Sequence, residues 1–220
     1  MRFLLAVFVF LVSAFMGAGC SWFETKEEMT AQELAIEGMA NYEKGNYGTA
    51  VELFEKLKDW YPFSKFAILA DLKVADAYYK KRDYEDAVFA YEQFENLHPR
   101  NEAVPYVLYQ IGMCYFEQLD TPDRDQGVAR EALKAFQRLI REYPDDMYSG
   151  RAGNHVETCI RSLAEHEFYV GLYYYRSKHY GAALARFETV LREYPDVGVQ
   201  YKALTYIQLC KDKLQEKQES

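Results

Sequence analysis

The chain has 220 residues, half of them apolar, with a net charge of −8 and a pI near 5.2. That acidic balance excludes non-specific nucleic-acid binding, which needs a basic face. Glycine and proline are scarce beside 20 tyrosines and 14 phenylalanines, which favours packed helices over a β-sandwich.

At the N-terminus, Arg2 precedes an uncharged apolar run from Phe3 to Met16. The run is too short to span a bilayer core of about 30 Å and reads as the apolar region of a signal peptide. Met16-Gly17-Ala18-Gly19-Cys20 follows and resembles a bacterial lipobox, although Gly17 stands where leucine is usual. In that pattern the peptide is cut before the cysteine, whose thiol carries diacylglycerol and whose new amino group is acylated. The alternative is an ordinary secretory signal cut near Ala18 or Gly19. Residues 1–19 are thus expected to be a leader, and 20–30 a lipidated Cys20 with a polar tether. Ser21 after the cysteine resembles the outer-membrane sorting pattern.

From residue 31 the chain repeats. Prolines at 62, 99, 144 and 195 each follow an apolar-periodic stretch. Twelve residues before each stands an alanine (Ala50, Ala87, Ala132, Ala183), and eight before each an aromatic (Phe54, Tyr91, Phe136, Phe187). Fifteen before stand Tyr47, Tyr84 and Tyr180, with Ala129 as the exception. The spacing predicts helix pairs close to the tetratricopeptide unit. The alanines let paired helices approach, and the ring is expected to fill the space between one pair and the next.

The predicted elements run in order. Leu34, Gly38, Ala40 and Tyr42 mark a first helix, broken at Gly45-Asn46, and Tyr47 to Leu57 a second, ended by Pro62. Ile68, Leu69, Leu72, Ala75, Tyr78 and Tyr79 form the next first helix, and Tyr84 to Phe94 its partner. Val107, Ile111, Cys114 and Tyr115 open the third unit, which Glu117 to Ala129 interrupts before Ala132 to Ile140 resume. Asp120, Asp123 and Asp125 in the interruption lack the calcium-loop pattern, and the last is expected to cap the following helix. Helical spacing then persists for about thirty residues from Ala152 to Tyr175, a bridge that Gly171 permits to break. Tyr180 to Val190 give the last clear repeat helix. A final one carries an apolar stripe of Tyr201, Leu204, Ile207 and Leu214 and ends in charge, as a capping element should.

No catalytic pattern emerges. The four histidines are scattered, and His155 with Cys159 supplies only two ligands on one helix face. Cys114, Cys159 and Cys210 match no zinc or redox spacing and read as small buried apolar groups. In the run Tyr173-Tyr174-Tyr175, at least one ring must face solvent. Apart from lipid on Cys20, no cofactor and no metal is expected.

Lipobox and repeats together resemble the BamD family of outer-membrane β-barrel assembly lipoproteins. The local matches are Tyr61-Pro62-Phe63 with the Asp71-Leu72 to Tyr78-Tyr79-Lys80 helix, Tyr106-Val107-Leu108-Tyr109, Asp123-Arg124-Asp125-Gln126, and Glu167-Phe168-Tyr169-Val170 with Arg192-Glu193-Tyr194-Pro195. The resemblance implies an all-α solenoid of about five helical-hairpin units, lipid-anchored at the periplasmic face of the outer membrane. It implies N-terminal repeats (31–145) that receive unfolded outer-membrane protein precursors. It also implies C-terminal repeats (146–220) that bind a periplasmic domain of a BamA-type barrel protein, beside other assembly lipoproteins. Arg186 matches a partner-binding arginine of the family. Tyr42, Tyr78, Tyr79 and Tyr115, at first-helix positions, are candidates to line a groove for an extended peptide. Two other readings stay open: a pilotin-like lipoprotein delivering secretin subunits, and a glycan-binding envelope repeat protein.

Overall fold

The structure is a computed structural model and describes residues 28–219. The expected leader, Cys20 and most of the tether lie outside the described residues. Those described form α1 (Ala31–Glu43), α2 (Tyr47–Trp60), α3 (Ala67–Lys81), α4 (Tyr84–Leu97), α5 (Val104–Phe116), α6 (Gly127–Glu142), α7 (Met147–Arg176), α8 (Tyr180–Glu193) and α9 (Gln200–Glu219). The array opens on a capping box. Thr30 accepts from the Glu33 amide, and the Glu33 carboxylate accepts from the Thr30 amide at 2.8 Å.

The four prolines end their helices in one way. The residues before them, Tyr61, His98, Tyr143 and Tyr194, all adopt φ between −134° and −129° and ψ between 52° and 60°. Proline bars the α region to its predecessor, and each predecessor's amide still donates to the carbonyl four residues back. Between the two helices of a pair, Gly45, Arg82 and Lys178 occupy equivalent places with φ of 80°, 66° and 61°. Only the first turn supplies the glycine that this left-handed conformation favours.

Four apolar clusters, each spanning three consecutive helices, hold the array together. The first joins Leu34 and Ala35 of α1 to Ala50, Phe54 and Leu57 of α2 and Ala70 and Val74 of α3. The second runs from Ala75 through Tyr91 and Phe94 to Val107, Ile111 and Cys114, and the third from Leu108 through Phe136 to Ala152 and Cys159. The fourth runs from Ala164 through Phe187 to Ala203, Ile207 and Cys210. Each helix pair therefore buries its second face only against the next pair, which makes stacking obligatory.

Inside each pair the contact is a ring on a small residue. Phe54 lies on Gly38, Tyr91 beside Ala75, Phe136 on Gly112 and Phe187 on Gly171. A β-carbon on Gly38 would stand 2.7 Å from the Phe54 ring. The ring expected between pairs does meet the next pair, as Tyr91 meets Tyr106, Phe136 meets His155 and Phe187 meets Tyr206, and it also seats in the slot left by the small residue of its own pair. Gly171 leaves α7 unbroken over 30 residues, since its role is this slot.

Three other expectations shift. The interruption of the third unit is shorter, from 117 to 126, because α6 already begins at Gly127. In α3 the buried positions are Ala67, Ala70, Val74, Ala75, Asp76 and Ala77, leaving Ile68 and Leu69 exposed. In α9 the buried stripe is Ala203, Ile207 and Cys210, and Tyr201 is 82% exposed. The final stripe was legible as a period but not in register: among the described residues no helix packs on the face of α9 that holds Tyr201 and Leu204. Among the described residues there are four hairpins, α1/α2 to α7/α8, and the opening helix of a fifth unit.

Candidate interaction site

The odd-numbered helices meet one another along one face through polar and aromatic side chains. From α1, the Tyr42 ring lies 5.1 Å under the Lys73 ammonium of α3. Lys73 pairs with Asp76 at 2.7 Å. Asp76 is 3% exposed within the apolar run Val74-Ala75-Asp76-Ala77, and its Oδ1 accepts from the Tyr91 hydroxyl at 2.8 Å and the Tyr106 hydroxyl at 2.7 Å. Gln110 donates to the Tyr91 oxygen at 3.3 Å. A buried carboxylate is tolerated because it is paired and doubly hydrogen-bonded.

The strip continues onto α7. The Tyr106 and Tyr109 rings of α5 flank Tyr148 at 5.4 and 5.3 Å, and the Arg151 guanidinium stands 5.4 Å over Tyr148. Tyr109 shares a hydrogen bond of 3.0 Å with His155 Nε2, and the His155 ring stacks on Phe136. Burial pushes the His155 pKa down. Burial, then the charge of Asp76, pushes the Tyr42 hydroxyl up to about 12 and holds Tyr91 and Tyr106 well above their ordinary value of 10. This face is therefore a band of neutral phenols with cations at Lys73 and Arg151.

The candidate tyrosines are not brought together. Tyr42 belongs to this strip and packs edge-on against Tyr47. Tyr79 pairs with Tyr84 across the next hairpin turn, as Tyr175 does with Tyr180 further on. Tyr78 faces a groove between α2 and α4, and Tyr115 is wedged between the second and third clusters. Sequence reasoning missed Asp76 and the roles of Tyr106, Tyr109 and Tyr148. The available signal was a carboxylate in an apolar helical run, which demands partners.

In the C-terminal half Arg186 already pairs with Glu167 at 2.9 Å, with its side chain 45% exposed, so further N–H groups remain for an outside acceptor. On the other side of α7 lies a pocket of about 660 Å³ lined by Arg161, Glu165, Phe168, Tyr169, Leu172 and Lys202. The insertion loop closes one end. His166 Nδ1 lies 2.6 Å from the Pro122 carbonyl, and buried Gln126 binds the Thr121 and Arg124 carbonyls while accepting from Ser162. Asp125 accepts from the Gly127 amide at 2.7 Å, at the start of α6. Tyr173 is the exposed ring of its run. Cys114, Cys159 and Cys210 are free and buried in three separate clusters. Among the described residues no group of side chains could hold a metal, and no helix is long and apolar enough to cross a membrane.

The sequence profile of a family described as outer membrane lipoprotein, YfiO, matches residues 27–220. The chain is 29% identical to the outer membrane protein assembly factor BamD of Neisseria meningitidis serogroup A, over 86% of this chain and 74% of that one. It is 26% identical to that of Pasteurella multocida, over 92% and 82% of the two chains. Among solved structures, a thermophilic TPR protein of Thermus thermophilus is 18% identical, with a TM-score of 0.44 over 81% of this chain and all of that one.

Proposed function

The chain belongs to the outer membrane lipoprotein family described as YfiO, and we propose that it is an outer-membrane protein assembly factor that works as a scaffold, not as a catalyst. The relatives named above carry that role in their names. In this reading Cys20 carries the diacylglycerol and acyl anchor, and the chain sits at the periplasmic face of the outer membrane. The N-terminal repeats (31–145) receive unfolded precursors, and the C-terminal repeats (146–220) hold a periplasmic domain of a BamA-type barrel protein.

The observation that supports the precursor role most directly is the strip from Tyr42 to His155. First helices α1, α5 and α7 present phenol rings, and α3 presents Lys73 and Asp76, along one line. An extended segment stacks its aromatic side chains on such rings and gives its backbone hydrogen bonds to the hydroxyls. The strip replaces the four scattered tyrosines as the expected groove, and Tyr42 is common to both.

For the partner role, Arg186 offers its outward guanidinium edge to an acidic side chain of the barrel protein. The test is affinity purification of the full-length chain from detergent-solubilised envelope, with mass spectrometry of the partners and of the Cys20 peptide. Recovery of an assembly barrel protein and a triacylated Cys20 peptide is expected. Recovery of a secretin in its place contradicts the reading. Arg186→Glu is expected to lower recovery of the barrel protein about tenfold or more, the effect of losing one charge-assisted pair and adding a like charge. Undiminished recovery removes Arg186 from the interface.

A further inference from the structure

The α2/α4 and α4/α6 junctions between second helices are built differently, and the difference leaves the α2/α4 junction open. At the α4/α6 junction, Arg138 reaches across with both guanidinium nitrogens to the Glu95 carboxylate and also holds Glu142. Glu95 stands four residues before its proline, and Arg138 six before its own. The same two positions at the α2/α4 junction are Lys58 and Gln93. No hydrogen bond or ion pair joins them. Lys58 turns back to Glu55 and to Asp71, at 3.2 Å each.

What remains is a groove of about 510 Å³, floored by Asp71, Val74 and Tyr78 of α3. Glu55 and Lys58 form one wall, and Asp86, Phe89 and Leu97 are on the other. Three carboxylates face it: Asp71 is held by Lys58 and His98 and Glu55 by Lys58, while Asp86 has no ion-pair partner among the described residues. Phe89 and Leu97, eight residues apart on one face of α4, are 64% and 62% exposed. Two apolar side chains of that size left in water beside the unpaired Asp86 carboxylate fit a ligand that is cationic and apolar at once.

We propose that this groove binds an extended segment of another polypeptide, with an arginine or lysine set between aliphatic or aromatic side chains. The cation takes the place that the Arg138 guanidinium fills at the next junction, against Asp86 and Glu55. The flanking side chains cover Phe89 and Leu97. The site lies on the second helices and the floor of α3, apart from the phenol strip, and stands whether or not that strip binds precursors.

The test uses the full-length chain in detergent and an immobilised array of acetylated, amidated hexapeptides randomised at every position. Retained peptides are expected to be enriched in arginine or lysine next to Leu, Ile, Phe or Trp. Replacing that cation with glutamate is expected to weaken binding about tenfold or more, measured by fluorescence anisotropy. The double variant Lys58→Glu with Gln93→Arg transplants the Glu95–Arg138 pair into this junction. It is expected to abolish binding with an unchanged melting temperature. Asp86→Lys, an exposed change that needs no repacking, is expected to weaken binding about tenfold should the transplant fail to fold. No enrichment, enrichment in acidic peptides, or undiminished binding by either variant overturns the proposal. Self-association of the chain that the transplant abolishes also overturns it, assigning the groove to a contact between copies.

Discussion

Asp76 is where a single side chain carries most of the consequence. Its carboxylate holds Lys73, Tyr91 and Tyr106, so it ties α3 to both α4 and α5. Asp76→Ala leaves two buried hydroxyls and an ammonium without their acceptor, and is expected to cost about 3 kcal/mol. Tyr106→Phe removes one donor and is expected to cost about 1 kcal/mol. Urea denaturation midpoints of the two variants measure both. The phenols also set a pH limit. The unfolded chain releases tyrosine protons near 10, while the folded chain holds that of Tyr42 up to about 12 and keeps those of Tyr91 and Tyr106 well above their ordinary value. Where the folded state binds more protons than the unfolded state, stability falls as pH rises. The phenols' share of the stability is therefore expected to be flat below about pH 10 and to drop between about pH 10 and 12. Urea midpoints across that range check this, and Tyr106→Phe should make the drop shallower.

At the scale of the element, the ring seated on a small residue decides how close the two helices of a pair stand. Gly112→Ala improves helix propensity but drives a methyl group into the Phe136 ring, and is expected to destabilise by about 2 kcal/mol. Gly153→Ala, in the open middle of α7 with nothing within 4 Å, is expected to stabilise by about 0.8 kcal/mol. Thermal melts of the two variants should move in opposite directions. Much of this level was legible in the sequence. The four prolines located four helix ends, and the alanines and rings before them located the paired faces, because one local constraint recurs at fixed distance. The partner of each ring was not legible. Gly38 read as a stripe member and Gly171 as a permitted break, Gly112 was not singled out, and only packing shows that a missing β-carbon is the slot. The register of α9 escaped for a related reason: periodicity marks an apolar face, but not whether a further helix arrives to cover it.

As a whole molecule the chain is an array whose first helices meet along a phenol-rich strip and whose second helices leave an open junction between α2 and α4. Long α7 joins its parts. Its first half closes the third cluster through Ala152 and Cys159, and its second half opens the fourth through Ala164. The candidate site was only partly readable because it is distributed. Tyr42, Asp76, Tyr106 and Tyr148 lie on four helices and span over a hundred residues of sequence, so no local spacing joins them. The proposal that unfolded outer-membrane polypeptides lie along this strip is tested most directly by site-specific photocrosslinking in intact envelope. A photoreactive residue replaces Arg151, which stands exposed over Tyr148 on the strip, or Arg141, exposed on second helix α6. Adducts with newly exported outer-membrane proteins from position 151, and few or none from 141, are the predicted result. Equal yields from the two positions, or no precursor adduct from 151, would contradict it.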